Sequence, residues 1–402
     1  MTVSPGVEGR SFPGATAALA GLLFFGVLTL WVRERWAAGV LQAGICLLGM
    51  AGCWWWARGR FAIGRCWVLF PFAGAALWGL LQLAVGSTVY RFDTWNGVLF
   101  WTSAAVLVAV AAAATGGAEA RHRLLRALLY FGFVVSVLAT TQYFTSEGDV
   151  FWLFPSGYPD ALGPFVYRNN YAAFIELLLP VALAEALRDR RRATAFALMA
   201  SVMYASVVAS ASRAGSILAT LEILAVLTLA HRRGFVSLRR LGLAMAKIGV
   251  LAALFVGVVG WRALTERLAM ADPFVHRREM LQSTLAMARE RPWLGFGLGT
   301  FQEAYPAYAT FDIGLAVNHA HNDWAEWLAE GGVPLLAMLG SVAVWAVLPA
   351  VRSLWGIGLI SVFAHALVDY PMQRLGMAAW IFVFLGLLAA EERDRRRQAA
   401  IP

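Results

Sequence analysis

The sequence predicts an all-α, polytopic integral membrane protein with about twelve transmembrane helices and one large outward loop that contains short helices. Of its 402 residues, 60% are hydrophobic and only 14% are charged, whereas a soluble domain has about 25% charged residues. The apolar residues come in blocks of about 18 to 21, and each block is long enough to cross a hydrocarbon core about 30 Å thick. A soluble globular enzyme is therefore excluded.

The apolar blocks follow one another along the chain and set its organisation. Residues 1–143 hold the first five spans, residues 144–332 hold spans six to nine and the large loop 262–332, and residues 333–402 hold the last three spans and a basic tail. The predicted spans are Gly14–Trp31, Trp36–Trp56, Cys66–Val85, Gly97–Ala114, Leu124–Tyr143, Tyr171–Leu187, Ala193–Ala209, Gly215–Ala230, Leu243–Trp261, Val333–Leu348, Leu354–Val368 and Gly376–Ala390.

Basic residues predict the orientation of these spans. Most of the 33 lysine and arginine residues lie at every second connection, and such residues favour the cytoplasmic side of a membrane. Both termini are therefore expected in the cytoplasm, and the loop 262–332 is expected outside it. The same distribution explains the net charge of +9 without a nucleic-acid partner, because the arginines form no continuous face.

Polar residues of unusual type concentrate on the predicted outer face. Within the large loop, Val275–Arg291 has the spacing of an amphipathic helix that ends at Pro292. The glycine run after it resembles a phosphate-binding loop only superficially, because no strand precedes it, and a tight turn is the better interpretation. The polar segments are Tyr167–Tyr171 with Glu176, Ser210–Gly215, His276–Arg278, Gly295–Phe301, Asn318–Asp323 with Glu326 and Glu330, and His365 with Asp369–Pro371.

Each candidate residue also has a structural explanation. Arg213 could extend to the lipid headgroups, and Arg277–Arg278 could be part of a solvated helix face. The His319–Asp323 segment could bind a metal, although no surrounding framework of ligands supports that interpretation. The three cysteines lie in or beside apolar blocks and lack the spacing of a metal or redox site.

Together, the arginines and histidines indicate a lipid-linked diphosphate substrate. Guanidinium groups bind phosphate oxygens through two parallel hydrogen bonds and stay charged at any working pH. A histidine side chain, whose ordinary pKa is near 6.5, can take a proton from an attacking hydroxyl at neutral pH. Because the short basic loops carry no nucleotide motif, chemistry is expected on the outer face.

With these motifs in this order, the sequence resembles the O-antigen ligase / O-antigen polymerase superfamily of bacterial envelope glycosyltransferases. The resemblance covers Gly163–Gly332, and the layout of spans around one dominant outward loop also resembles the ligases. The motifs that carry it are Tyr167–Ala173, Ser212–Gly215 at the start of a span, the glycine-rich Pro292–Phe301, Asn318–Asp323 and Ala329–Gly332.

The resemblance implies a glycan donor carried on undecaprenyl diphosphate, and an inverting transfer to an acceptor hydroxyl that needs neither metal nor cofactor. It implies a protein of the bacterial inner membrane whose active site faces the periplasm. The implied partners are the lipid-linked donor, a lipid A–core or growing glycan acceptor, and membrane lipids, with no nucleic acid.

The resemblance also assigns roles to residues of this chain. His321 matches the general base, with His319 as the second choice. Arg213 matches an arginine that would bind the diphosphate. Of Arg277 and Arg278, Arg278 is preferred as a further diphosphate ligand because it lies beside the apolar stripe of the predicted amphipathic helix. The remaining candidates are Arg168 as a further phosphate ligand and Asn322, Asp323 and Glu326 as supporting residues.

The activity that the sequence favours is that of an O-antigen ligase with lipid A–core as acceptor, because one outward loop dominates. The alternatives within the superfamily are an O-antigen or exopolysaccharide polymerase and, less favoured, a transferase with a protein acceptor. A polysaccharide transporter or flippase is the alternative from another class. Transporters usually have paired halves, and the sequence has no internal repeat.

Overall fold

The computed structural model describes residues 13–59, 66–237, 275–312, 314 and 316–400, together with a few positions between 239 and 250. The described chain is mostly helical, and its strands are one short antiparallel pair, β1 (Asp149–Val150) and β2 (Phe154–Pro155). The helices are α1 (Pro13–Leu28), α2 (Arg35–Ala57), α3 (Leu69–Val85), α4 (Arg91–Ala114), α5 (Ala118–Thr145), α6 (Arg168–Arg188), α7 (Ala193–Ala209), α8 (Arg213–Arg232), α9 (Val275–Glu290), α10 (Phe301–Ala304), α11 (Asp323–Ser353), α12 (Ile357–His365) and α13 (Leu375–Ala399).

Within the described residues, seven helices are long and apolar enough to cross a membrane, namely α2, α4, α5, α6, α8, α11 and α13. Shorter apolar helices, including α1, α3 and α7, lie at three further predicted spans. A multi-pass helical membrane protein is therefore confirmed, while the number of twelve spans stays a prediction. The predicted span Leu243–Trp261 lies mostly outside the described residues.

The predicted eleventh span, Leu354–Val368, does not form a continuous helix of membrane-crossing length. Helix α12 occupies this segment but has nine residues. At 1.5 Å per residue it rises about 14 Å, less than half the thickness of a hydrocarbon core. Three consecutive turn residues follow it before the chain reaches Asp369, so the polar end of this segment is a loop.

Helix α13 is the centre of the bundle. It packs against α1, α4, α11 and α12, and its Trp380, Phe382 and Phe384 are fully buried. Small residues allow the backbones to approach closely: a Cβ atom added at Gly26 of α1 would lie 3.1 Å from Cα of Gly376. Close packing of this kind stabilises helices in lipid, where burial of apolar surface contributes little.

One end of the bundle carries a group of arginines that hydrogen-bond to acids and carbonyls. At one end, Arg121 donates to Asp394 over 3.0 Å, Arg126 donates to Glu185 over 2.5 Å, and Arg233 donates to the Arg352 carbonyl over 2.9 Å. We call this the arginine-rich end. At the opposite end, which we call the loop end, helices α6, α8, α11 and α13 begin and the long connections meet.

The long loop is fixed to the helices at the loop end. The Gln82 side chain of α3 donates to the Leu294 carbonyl over 2.6 Å and to the Glu330 carbonyl over 2.8 Å. Gly295, Gly297 and Gly299 all have positive φ angles, and at Gly297 a Cβ atom would collide with the Thr88 and Thr94 hydroxyls. The glycine run is therefore the tight turn that the sequence predicted.

Helix α11 is broken near its start. Gly332 has a φ of 67° and a ψ of −171°, so residues 323–331 and 333–353 are two helices in different directions. The Val333 N–H donates to the Pro292 carbonyl over 2.8 Å, outside the helix. The predicted span that began at Val333 thus starts where the second of the two helices starts.

Candidate functional site

Helices α6 and α8 begin side by side at the loop end. The Ser212 hydroxyl donates to Asn169 Oδ1 over 2.7 Å, and the same Ser212 oxygen caps α8 by accepting from the Gly215 N–H. Gly215 lies against Ala172 of α6, where a Cβ atom would find no room. The polar starts of two helices are thereby held together, and Asn169 of α6 also donates to Asp369 in the α12–α13 connection.

Asp369 is the centre of the polar site. Its carboxylate is 1% exposed and accepts hydrogen bonds from Arg277 over 3.0 Å, from the Tyr370 N–H over 2.9 Å and from the Asn169 side chain. Burial raises the pKa of Asp369, but the neighbouring His321 and Arg277 outweigh burial and hold it below its ordinary value. We call Tyr167, Asn169, Arg277, His321 and Asp369 the Asp369 cluster.

Arg277 ties helix α9 to this cluster. Its guanidinium donates to the Val368 carbonyl over 2.8 Å and to the Tyr167 hydroxyl over 3.0 Å, in addition to Asp369. Three of its five N–H donors are therefore engaged. The Arg277 side chain is still 25% exposed, so it lies at the edge of the site.

The preference for Arg278 as the phosphate ligand stays a prediction, but Arg277 is the arginine that contacts the Asp369 cluster. Arg278 is exposed on α9, whereas Arg277 lies on the helix face that carries the buried residues Met280 and Thr284. This face also includes Ser283 and Thr284, which are buried but polar and are therefore not marked by a pattern of apolar residues.

His321 faces the cluster from the start of α11. Its Nδ1 lies 3.4 Å from the Tyr167 hydroxyl and 3.5 Å from Asp369 Oδ1. Its backbone has a φ of 51°, a strained conformation for histidine that occurs preferentially at functional sites. Burial raises the pKa of Tyr167 to about 12, so that hydroxyl keeps its proton at neutral pH. With Nδ1 directed at these groups, Nε2 is the nitrogen left for a substrate.

His319 is held by a different acid. Its Nδ1 is 2.9 Å from Glu326 Oε1, while Glu326 Oε2 accepts from the Ala320 N–H over 2.7 Å. The ring stacks on Tyr370 at a centroid distance of 4.5 Å, and Tyr370 in turn stacks on Tyr167 at 5.4 Å. Glu326 is thus a supporting residue of His319, and Asp369 is the carboxylate that faces His321.

Asn322 and Asp323 support the backbone of the site. Asn322 caps α11 by accepting from the Ala325 N–H over 3.0 Å, and its amide donates to the Leu367 carbonyl over 2.8 Å. Asp323 is fully buried and accepts from the Met372 N–H over 3.0 Å and from Gln373 over 2.8 Å. Both residues hold the α12–α13 connection against the histidine segment, and Asp323 orients neither ring.

The other two predicted phosphate ligands differ in their surroundings. Arg168, which stands between Tyr167 and Asn169 in the chain, forms an ion pair with Asp160 over 3.1 Å. Arg213 is half-buried at the first turn of α8, next to Ser212. Among the residues that the structure describes, none forms a hydrogen bond or ion pair with its guanidinium.

Sequence reasoning identified the histidines and the Arg277–Arg278 pair but assigned no role to Tyr167, Asn169, Ser212 or Asp369. All four lay within the polar segments singled out above. The signal that could have found Asp369 was its place at the end of a predicted span, where an acid is costly unless it has partners.

The two histidines do not share a ligand set. His319 and His321 are paired with Glu326 and Asp369, respectively, with the Tyr370 ring in contact with both. Within the described residues, no three histidine, cysteine or acidic side chains converge on one point as metal ligands would. Metal independence of the chemistry stays a prediction.

Residues 195–340 match the family model Wzy_C, O-antigen ligase. The match contains Ser212, Arg213, Arg277, His319 and His321. It confirms the resemblance to the O-antigen ligase superfamily over this region and supports a membrane glycosyltransferase of the ligase/polymerase type. No curated protein matches the chain at a significant level. Asn169 and Asp369 lie outside the matched region, and only the folded structure connects them to it.

Proposed function

We propose that this protein is an O-antigen ligase that transfers a glycan from undecaprenyl diphosphate to a hydroxyl of lipid A–core, on the periplasmic face of the bacterial inner membrane. The observation that carries the proposal is the Asp369 cluster, in which a histidine, an arginine and a buried carboxylate meet at one end of a membrane bundle. The matched O-antigen ligase region supplies two of its residues, Arg277 and His321.

The arginines at one end of the bundle support the proposed orientation. Arg121, Arg126 and Arg233 lie at the arginine-rich end, and Arg393 donates to the Ala112 carbonyl there over 2.9 Å. Because arginines favour the cytoplasmic side, the loop end and the Asp369 cluster face the periplasm. Helices α1 and α13, the first and the last that the structure describes, fit this orientation with both termini in the cytoplasm.

Acceptor activation is the role of His321. A sugar hydroxyl is a poor nucleophile, and its proton must leave as the glycosidic bond forms. His321 Nε2 accepts that proton, while Asp369 stabilises the imidazolium that results, as a carboxylate behind a catalytic histidine does. The 3.5 Å separation between His321 Nδ1 and Asp369 is long, and such contacts shorten when substrate binds.

Donor binding is the role of Arg213, assisted by Arg277. A diphosphate leaving group needs charge stabilisation more than protonation, and arginine provides it through a planar pair of donors. Arg213 has no competing partner among the described residues and lies at the N-terminus of α8, where the helix dipole also attracts anions. The N-termini of α6 and α11 lie at the same end and add to this potential.

A transfer assay tests the proposal. Purified protein in nanodiscs receives undecaprenyl-diphosphate glycan with a labelled sugar, with or without lipid A–core. We expect the label to appear on lipid A–core and this transfer to depend on His321. Growth of the labelled chain without the acceptor would instead identify a polymerase, and movement of intact donor between leaflets without a new glycosidic bond would identify a transporter.

A further inference from the structure

Three ionisable residues lie inside the bundle, below the Asp369 cluster. Glu176 of α6 and His365 of α12 have no exposed surface, and Glu222 of α8 is 1% exposed. The His365 Nδ1 and Glu176 Oε1 atoms are 2.8 Å apart. Ionisable groups at such depth are costly and are usually retained for function, yet none of the steps described above uses them.

Helix α12 connects these three buried residues to the Asp369 cluster. The Asp369 N–H donates to the His365 carbonyl over 3.0 Å, so the two residues are separated by one helical turn. Gly358, on the same helix, lies so close to α6 that a Cβ atom there would be 2.8 Å from Cα of Leu177. The backbones of α6 and α12 therefore fix the His365–Glu176 pair in place.

The charged groups around His365 come from several elements. Glu176 faces it from α6, Asp369 lies one turn above it, and Arg277 of α9 lies beyond Asp369. Glu222 of α8 is next to Glu176 and beside Ser361, and Asp323 of α11 faces Asp369.

Burial disfavours an imidazolium at His365, whereas the Glu176 carboxylate 2.8 Å away and the Asp369 carboxylate one helical turn away favour it and outweigh burial. The second acid beside Glu176, namely Glu222, is then accommodated in its neutral form, because two adjacent buried carboxylates do not both ionise. This assignment gives an order of alternating charges from the bundle interior to the site: Glu176 negative, His365 positive, Asp369 negative and Arg277 positive.

We propose that His365 is a buried imidazolium that acts as a positioning residue, holding Asp369 ionised so that Asp369 can orient Arg277 and His321. Its counter-ion is Glu176. As a role in catalysis, this inference rests on the proposed function; as a statement about charge, it is independent of any substrate.

The charge is measured first, without substrate. The protein, whose six histidines are labelled in the imidazole ring, is titrated by NMR, and the signal missing from His365→Gln is assigned to His365. We expect this ring to stay protonated from about pH 6 to pH 8, whereas an ordinary histidine loses its proton near 6.5. In Glu176→Gln, it should become neutral within that range.

Glu185→Gln is the matched control. Glu185 lies 3.2 Å from His122 Nδ1 at the arginine-rich end, so this variant should alter the His122 signal and leave that of His365 unchanged. A His365 ring that titrates near 6.5 in the unaltered protein, or one that does not respond to Glu176→Gln, overturns the proposal even if a variant fails to fold.

The catalytic role is measured second, by the pH profile of glycan transfer. Without the buried cation, the Asp369 cluster takes up a proton more easily, so the acid limb of the profile for His365→Gln should move up by about half a pH unit or more. His231→Gln, whose ring contacts the Val236 carbonyl far from the site, should keep the profile. An unchanged acid limb in His365→Gln contradicts the positioning role.

The two measurements separate the proposals. If the unaltered protein transfers no glycan while the His365 ring stays protonated, the proposed function fails and the charge assignment stands. If glycan is transferred but the ring titrates normally, the charge assignment fails and the proposed function stands.

Discussion

Arg277 and Asp369 form an ion pair of 3.0 Å although 92 positions separate them in the chain. The arginine comes from the long loop and the aspartate from the connection between two helices of the bundle. This pair is what attaches the loop helix α9 to the membrane part of the molecule at the site. The stability of the site and its chemistry should therefore depend on the same contact.

Removing the charge of Asp369 should destabilise the protein. Asp369→Asn leaves the partly buried Arg277 without its counter-ion, and we expect a loss of up to about 3 kcal/mol in the free energy of unfolding. Asp160→Asn, which removes the partner of Arg168 from an ion pair whose two side chains are 33% and 37% exposed, is the control and should cost less than about 1 kcal/mol. Thermal unfolding in detergent measures both, and equal losses would contradict a special role for Asp369.

The contribution of Asp369 should disappear in acid. Its pKa in the folded protein is lower than its ordinary value of 3.8, so its stabilising effect is complete above that value. The effect is lost as pH falls through the lowered folded pKa. The difference in melting temperature between unaltered protein and Asp369→Asn should thus be constant above about pH 5 and shrink below about pH 4. A difference that grows on acidification would be inconsistent with this assignment.

His321→Ala should lower the rate of transfer by about 10²- to 10⁴-fold, because that is the usual contribution of a positioned general base. Donor binding, measured with labelled undecaprenyl-diphosphate glycan, should change little. His319→Ala is the paired variant and should be milder, since His319 is engaged with Glu326. A folded His321→Ala protein that works within a few-fold of the unaltered one would refute the assignment.

Arg213→Lys should retain little activity, because an ammonium keeps the charge but loses the planar pair of donors. Loss of this phosphate contact should cost about 2–4 kcal/mol of transition-state stabilisation, or about 30- to 1000-fold in rate. Arg289→Lys is the control, since Arg289 is exposed on α9. Equal losses in both variants would indicate a general effect of charge.

The orientation can be tested with cysteine labelling in intact cells. Gln282 is exposed on α9, whereas its neighbour Ser283 is buried. With the native cysteines removed, Gln282→Cys should react with an impermeant reagent added outside the inner membrane, and Ser283→Cys should react poorly. If Gln282→Cys reacts only after the inner membrane is opened, the loop end and the proposed site face the cytoplasm, and the proposed orientation is wrong.

The sequence was sufficient to predict the helices that have long apolar blocks, because composition alone decides whether a segment crosses lipid. It was insufficient for α12, where the apolar block Leu354–Val368 continues past the residue at which the helix ends. It found both histidines because they stand in one short segment. It missed the role of Asp369 because Asn169, which donates to it, is 200 positions away, and no local spacing reveals such a contact.

The break at Gly332 divides α11 into two parts that have different roles. Residues 323–331 hold the histidine segment and are fixed to the loop, because the Phe296 and Gly297 N–H groups donate to the Ala329 and Glu330 carbonyls over 3.0 and 2.9 Å. Residues 333–353 form the longer apolar part of the helix. A bilayer that changes in thickness tilts the second part, and a bend at Gly332 absorbs the tilt. We therefore expect the geometry between His319 and Glu326 to be insulated from the lipid composition of the membrane.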